Sequence, residues 1–536
     1  MFIINGNIRT MDPKKPKAEA VAIKNGKIIK VGNNEEVLAL KNGDAKVIDL
    51  GGKLLLPGFN DSHMHLVGYS LFLDLIDLAE EKSIGEIIEK CRTEIKFKKI
   101  EKGKWIRGRG WTQDYFKGEK RFPNRYDLDK ISSEHPIILN RTCGHIVVVN
   151  SKALEIANIT KNTAQVENGY FDIDENGEPL GIFRGNAIGL IEKAIPEPTV
   201  EEIKNQLIKG MENANSCGIT SVQSDDFGVV GDNNYEKIIM AYEELRDQGK
   251  MSLRVYEQCL IPNIEVFQDF LNKGYKTGYG DEIFKIGPLK LLSDGSLGAR
   301  TAALTIPYND NEETMGLNLF TQEELDSIVE KAHNNGMQLA IHSIGNRAMY
   351  MVFEAMEKAL RKKPRKNHRH GIVHCQITDE HLLNKFKELD VIAYIQPIFL
   401  DYDWKIVESR VGKDLAKTSY NWKALVDKEV HIACGSDCPV ESFNVLHGIY
   451  EAVSRKDLDG NPKGGWMKDQ RLTVEEAVYG FTMGGAYASF EENIKGSIEK
   501  GKLADMVVLS RNIFEIPEDE IKDVKVEMTI FNGKLV

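Results

Sequence analysis

The chain has 536 residues, of which 42% are hydrophobic and 28% charged, and a formal net charge of -11. This is too long for one ordinary domain of about 100–200 residues and too balanced for a disordered or fibrous chain, so a barrel with insertions or several domains is expected. Basic residues are dispersed, the short run Arg361 to Arg369 reading as a solvated helix end, and no apolar run reaches the roughly 18 residues of a membrane span, so neither nucleic acid nor a membrane is an expected partner.

In chain order, Met1 to Gly32 alternates apolar and polar residues around Asn5-Gly6 and Asn25-Gly26. That is the texture of short strands and turns; a secretory signal needs a basic start and a continuous apolar stretch, so none is expected. Strands are predicted at Phe2 to Ile4, Ala20 to Lys24, Lys27 to Val31 and Lys46 to Leu50. The far end repeats the pattern at Asp505 to Leu509, Val524 to Ile530 and an Asn532-Gly533 turn. Chain termini often lie close together. A small β-sandwich domain built from residues 1–52 and 491–536 is therefore expected, with residues 53–490 as one inserted unit.

Within that unit, apolar β-branched runs alternate with helical patterns, the signature of an α/β fold with a parallel sheet. The strands are read as Lys53 to Leu66, Gly218 to Ser224, Leu253 to Leu260, Phe284 to Leu292, Met337 to Ser343, His370 to Gln376, Val391 to Gln396 and His431 to Asp437. Helical periodicity marks Val200 to Cys217, Glu323 to Asn335, Arg347 to Lys362 and Asp379 to Leu389. Eight strands suggest a closed (β/α)8 TIM barrel. The first gap is too long for a βα crossover, so residues from about 70 to 198 are expected to form an inserted subdomain after strand one, placed to supply a lid and substrate contacts. Gly108, Gly110 and Trp111 lie inside it. Seven cysteines, scattered from Cys91 to Cys438 without disulfide spacing, fit reduced thiols and a cytoplasmic location.

Residues i and i+2 of a strand share a face, so His63 and His65 can converge on one ion or equally sit as polar residues on a solvated face. Context favours the ion. His342 closes strand five, His374 strand six and Asp437 strand eight, each at the end where barrel enzymes build their sites. Singly each histidine reads as a satisfied polar residue; jointly they suit zinc or a comparable divalent ion. Lys290 near the end of strand four reads either as a strand residue with a buried stem or as a desolvated amine that reacts with carbon dioxide. The resulting carbamate would be an anionic oxygen ligand able to bridge two metals. Cys375 and Cys438, each beside a proposed ligand, point to the opposite face and read as packing residues. Cys259 is read the same way, with a thiolate ligand as its alternative.

Several stretches resemble the amidohydrolase superfamily, and within it the family 3 group that includes N-substituted formamide deformylases. Val47 to Lys53 followed by Leu56 to His65 resembles the family's lead into strand one, and Gly496 to Asp505 its return to the β domain. Lys290 to Thr301, with Asp294-Gly295-Ser296-Leu297-Gly298, is similar to the strand-four motif, and Thr142 to His145 with Asn150-Ser151 to the insertion. Asn60 and Met64 depart from the family pattern, at positions that do not ligate. The resemblance implies that His63 and His65 bind the more buried metal, carboxylated Lys290 bridges, His342 and His374 bind a second metal, and Asp437 binds metal and shuttles the proton. It implies one or two zinc ions, and Trp111 and His145 as pocket residues.

The activity expected is hydrolysis of a non-peptide carbon–nitrogen bond in an amide, formamide or cyclic amide. A divalent cation lowers the pKa of water towards neutrality and so supplies hydroxide at physiological pH, while Asp437 would carry the proton to the leaving nitrogen. A lactone or phosphoester is the alternative substrate, since the same nucleophile attacks several electrophiles. A non-catalytic barrel relative predicts missing ligands, whereas all six positions are filled. The expected partner is a small-molecule substrate, with a homodimer, the commonest assembly, left open.

Overall fold

In the computed structural model, which describes residues 1–231 and 234–536, eight of the β-branched runs lie side by side. They are β1 (Phe59–Met64), β2 (Ile219–Ser224), β3 (Arg254–Leu260), β4 (Phe284–Leu292), β5 (Leu339–Ser343), β6 (Gly371–His374), β7 (Ile392–Ile395) and β8 (Ile432–Cys434). Neighbours pair in parallel in chain order from β1 to β8, which is the sheet of a TIM barrel. Helices separate them for local reasons. Thr321 and Glu324 form a capping box at Gln322–Asn334, and the Asp379 side chain caps Glu380–Glu388.

The seam between β8 and β1 is closed just beyond the end of β8. The Asp437 N–H donates to the His63 carbonyl at 2.7 Å and the His65 N–H to the Cys438 carbonyl at 2.7 Å. Buried Asp61 joins the same seam, accepting from the Ser436 N–H at 3.0 Å, the Ser436 hydroxyl at 2.5 Å and the His63 N–H at 3.2 Å.

One predicted strand is two. Lys53 to Leu66 divides at Gly58: Leu54–Pro57 belongs to a different sheet, and only Phe59–Met64 enters the barrel. Leu54, Leu55, Leu56 and Phe59 are all buried, so the apolar pattern runs through the change of sheet without a mark. Gly58 is needed there because a Cβ would come within 2.2 Å of Thr220 Oγ1. The sheet that takes Leu54–Pro57 has six strands, from Lys534–Leu535 through Val526–Phe531 and Met506–Leu509 to Asn7–Arg9 and Lys17–Ala18. A four-stranded sheet of Lys27–Gly32, Ala20–Lys24, Phe2–Ile4 and Val47–Asp49 accompanies it. Ile3, Ile8, Val21, Leu55, Met506, Val508 and Ile530 share one core, so residues from both chain ends pack together.

Residues Ser70–Thr199 form a separate compact unit with its own six-stranded sheet. Its core includes Leu78, Ile87, Trp111, Leu128 and Leu139. Among the described residues no helix is long and apolar enough to cross a membrane.

The basic run Arg361 to Arg369 is not a solvated helix end throughout. Arg361 and Lys362 are exposed, but Arg369 is buried, pairs with both carboxylate oxygens of Glu492 and stacks over Tyr487 and Phe490. Sequence spacing cannot show this because Glu492 lies more than a hundred residues away.

Arg254 on β3 and Asp505, which leads into Met506–Leu509, form a buried two-pronged ion pair at 2.6 and 3.1 Å. Asp505 also accepts the Asn532 N–H at 2.8 Å, so one carboxylate ties the barrel to the terminal strands. Removing one partner of such a pair strands a charge in the interior, which costs about 3–5 kcal/mol. Asp505→Ala should therefore lower the denaturant midpoint sharply, and the double variant Arg254→Met with Asp505→Leu should recover much of the loss. Equal midpoints for wild type and Asp505→Ala would remove the pair from the set of fold-determining contacts.

Candidate metal centre

β1, β4, β5, β6 and β8 bring the six predicted residues to one end of the barrel. His65 Nε2 and His63 Nε2 lie 3.0 and 3.3 Å from the same oxygen, Asp437 Oδ1. Lys290 Nζ is 3.0 Å from His63 Nε2 and 3.5 Å from Asp225 Oδ2. The His374 ring lies 5.6 Å from that of His63 and 4.5 Å from that of His342. Donor atoms of His63, His374 and Asp437 all fall within 4.8 Å of one another. His342 joins through its ring contact with His374 rather than through that group.

Three of the four imidazoles are hydrogen-bonded through the outer nitrogen, and the fourth, His342, rests with its outer nitrogen beside a carboxylate. His65 Nδ1 is 2.8 Å from the Asp225 carbonyl oxygen, which can only accept, so Nδ1 carries the proton. His63 Nδ1 lies 2.9 Å from Gln258 Oε1, His374 Nδ1 2.8 Å from Gln396 Oε1 and His342 Nδ1 3.1 Å from Asp294 Oδ1. Asp294 is fixed in turn by the backbone N–H groups of Ala303, Ile344 and Gly345. Anchoring Nδ1 leaves the Nε2 lone pair pointing inward, the usual arrangement of a metal-binding histidine. For His63 and His65 those lone pairs face Asp437 Oδ1, acceptor against acceptor, which is stable only with a proton or a cation between them, and Lys290 Nζ is the other donor within reach of His63. The donor set therefore fits a divalent metal of the zinc type.

The groups also shift one another's protonation. Asp437 sits well below the usual carboxylate range: burial pushes it up, and His63 and His65 outweigh burial. His63 is pushed down to about 4 by burial and by the nearby Lys290. For His65 burial acts in the same direction, but Asp437 and Asp225 carry it up to about 9. Burial also lowers Lys290, against the pull of Asp225 and Asp437. His374 and Asp437 adopt the left-handed backbone, φ 83° and 61°, a conformation that costs side-chain-bearing residues of order 1–3 kcal/mol and gathers at functional sites.

Cys259, Cys375 and Cys438 are buried free thiols pushed up by burial, as packing residues are. Trp111 is wholly enclosed in the core of the inserted unit and donates its indole N–H to the Leu139 carbonyl. His145 is exposed at the turn between Ile137–Arg141 and Ile146–Val149. Sequence reasoning missed Asp225, Gln258, Gln396 and Asp294 as supports. The signal was the strand count: Asp225 follows β2, Gln258 lies on β3 and Gln396 follows β7, the three strands given no site residue.

Residues 46–536 match the amidohydrolase family. The chain is 32% identical over 537 residues to the protein YtcJ of Bacillus subtilis (strain 168), a match covering 99% of this chain and 98% of that one. It is 26% identical over 557 residues to the N-substituted formamide deformylase of Arthrobacter pascens, covering 100% and 98% of the two. Among solved structures it is similar to an uncharacterized metal-dependent hydrolase from Pyrococcus furiosus, with 29% identity, a TM-score of 0.80 and coverage of 96% of this chain and 99% of that one.

If the anchors set the imidazoles, Gln258→Leu should weaken metal affinity about 10–100-fold without changing the fold. Competitive titration against a chromogenic chelator reads the affinity, and an unchanged value would leave Gln258 a mere core residue.

Proposed function

The chain belongs to the amidohydrolase family and is a hydrolase that uses a divalent metal; from that premise we propose that it cleaves a non-peptide carbon–nitrogen bond in an amide, formamide or cyclic amide. The observation that carries the proposal is Asp437 Oδ1, placed 3.0 and 3.3 Å from two anchored imidazoles at the barrel's closing seam. The formamide chemistry in the name of the Arthrobacter pascens relative supports the bond class.

We assign zinc, as one or two ions, to His63, His65, His342, His374 and Asp437, with Lys290 as the bridging ligand in its carboxylated form. A divalent ion supplies two things when bound: a water of lowered pKa and polarisation of a carbonyl oxygen. The chain's own residues do the rest. Asp437 takes the proton of the attacking water and returns it to the leaving nitrogen, because an amide anion is too basic to depart. Gln258, Gln396 and the Asp225 carbonyl hold His63, His374 and His65 in one tautomer throughout, and Asp294 lies beside His342. Burial favours the neutral amine of Lys290, the form that adds to carbon dioxide and, after losing a proton, becomes an anionic carbamate. All seven cysteines are unpaired, which supports a reducing cytoplasm.

Asp437→Asn should lower turnover at least about a hundredfold even when assayed at saturating metal; near-normal turnover would rule out the proton shuttle. Native intact mass should show one added carbon dioxide on the wild type, absent from Lys290→Ala, and that variant should lose metal from the bridged site. Full occupancy in Lys290→Ala would sink the bridging role. Metal analysis followed by a screen of formamides, N-acyl amino acids, hydantoins and lactones tests the bond class, a lactone-only profile being the outcome that overturns it.

A further inference from the structure

The loops that follow β7 and β8 gather carboxylates whose oxygens meet no basic side chain, although Lys405 Nζ donates to the Asp401 carbonyl at 3.0 Å. Asp401 and Asp403 lie in the short helix Leu400–Asp403, Glu441 comes four residues after Asp437, and Glu451 lies in the helix Val445–Ser454. Among the described residues none of the four has a Lys, Arg or His nitrogen within 4.0 Å, whereas neighbouring Asp457 pairs with Lys405 at 3.3 Å. The donors present are few. Tyr420 Oη and Gln376 Nε2 donate to Asp403 Oδ2 at 2.6 and 3.3 Å, and the Leu458 N–H donates to Asp401 Oδ1 at 2.7 Å.

A second observation points to an absent donor. Gln376 is 3% exposed and its amide nitrogen rests on Asp403, yet its Oε1 has no hydrogen-bond partner. Glu451 is 0% exposed, lies in Coulombic reach of Asp401 and Glu441, and has no partner but the Asp401 backbone. Buried acceptors left unmatched are expensive, and a multi-donor cation satisfies several at once. The strain is visible in the acids. Burial followed by the charges of Asp401, Asp403 and Asp437 pushes Glu441 up to about 7, and burial pushes Asp403 up to about 6.

The cluster adjoins the metal centre on two sides. Glu441 is in Coulombic reach of Asp437, and Phe399, which leads into Leu400–Asp403, stacks on the His374 ring at 5.8 Å. Among the described residues the only metal-type group of donors within 4.8 Å of one another is His63, His374 and Asp437, so the spread of the acids suits a polyatomic cation rather than a second metal site.

We propose that this acidic face, with Asp403 and Glu441 as its specificity-determining residues, receives an ammonium or guanidinium group of the substrate, so that the enzyme selects cationic amides. The proposal rests on the reading of Asp437 as the reacting centre. Its test is a matched pair, N-benzylformamide and its para-aminomethyl analogue, which share the scissile bond and differ by one ammonium group. The zinc-loaded wild type should favour the ammonium analogue at least about tenfold in kcat/KM. Asp403→Asn and Glu441→Gln, on separate loops, should each cut that preference about tenfold, chiefly through KM. Equal kcat/KM for the two compounds in the wild type, or an undiminished preference in both variants, overturns the proposal. If fully metallated protein hydrolyses neither compound, N-benzylformamides are not its substrates, and calorimetric titration with benzylammonium chloride decides the acidic face. Binding that weakens about tenfold in both variants then supports it, and no binding to the wild type overturns it.

Discussion

Asp61 closes the barrel, and the metal centre exists only where the barrel is closed. β8 is three residues long, and by Asp437 the backbone has turned left-handed, so strand pairing alone cannot carry the seam to the level of the ligands. The carboxylate of Asp61 reinforces the two main-chain bonds at the seam by holding the Ser436 N–H and hydroxyl together with the His63 N–H. Burial pushes Asp61 up to about 7, and these three donors favour its ionised form against that push. Gly435 completes the approach, because a Cβ there would come within 2.5 Å of the His63 nitrogen. With the seam shut, His63, His65 and Asp437 are held by main-chain bonds as well as by their side chains.

That dependence explains which parts of the site were legible in the sequence. Residue types able to bind a cation are few, and the proposed ligands His63, His65, His342, His374 and Asp437 stand at strand ends, where the β-branched runs point to them. The residues that orient them are of no special type. Gln258 and Gln396 are neutral amides, and Asp225 acts on His65 through its main-chain carbonyl, a role any residue can fill. Asp294 was visible only as part of a motif, and its grip on His342 depends on Ala303, Ile344 and Gly345, nine to fifty-one residues away. Spacing predicts ligands; contact distances are needed to predict their supports.

The fold was legible to the same limit. Alternation and β-branched runs gave eight barrel strands and the two terminal groups of short strands, because each depends on burial along a local segment. The break at Gly58 was hidden because both sheets bury the same kind of residue. Arg369 was misplaced for the complementary reason: its burial is made possible by Glu492, Tyr487 and Phe490, which approach from the far end of the chain. Local pattern reports what a segment can bury, and distant partners decide what it does bury.

Charge balance distinguishes the two polar regions of the catalytic face. At the centre, acceptors face acceptors at 3.0 to 3.3 Å, and basic imidazoles share the space with one carboxylate, so a small ion of high charge density satisfies the geometry. Around Asp403 and Glu441 the acceptors are spread over three loops, Lys405 pairs with Asp457 and the Asp401 carbonyl rather than with these carboxylates, and hydrogen bonds come from a tyrosine, a glutamine and a backbone amide. A compact ion cannot reach all of these at once. A group that carries several N–H donors on one charge can, and placing it beside Asp437 would hold the scissile bond against the proposed proton carrier.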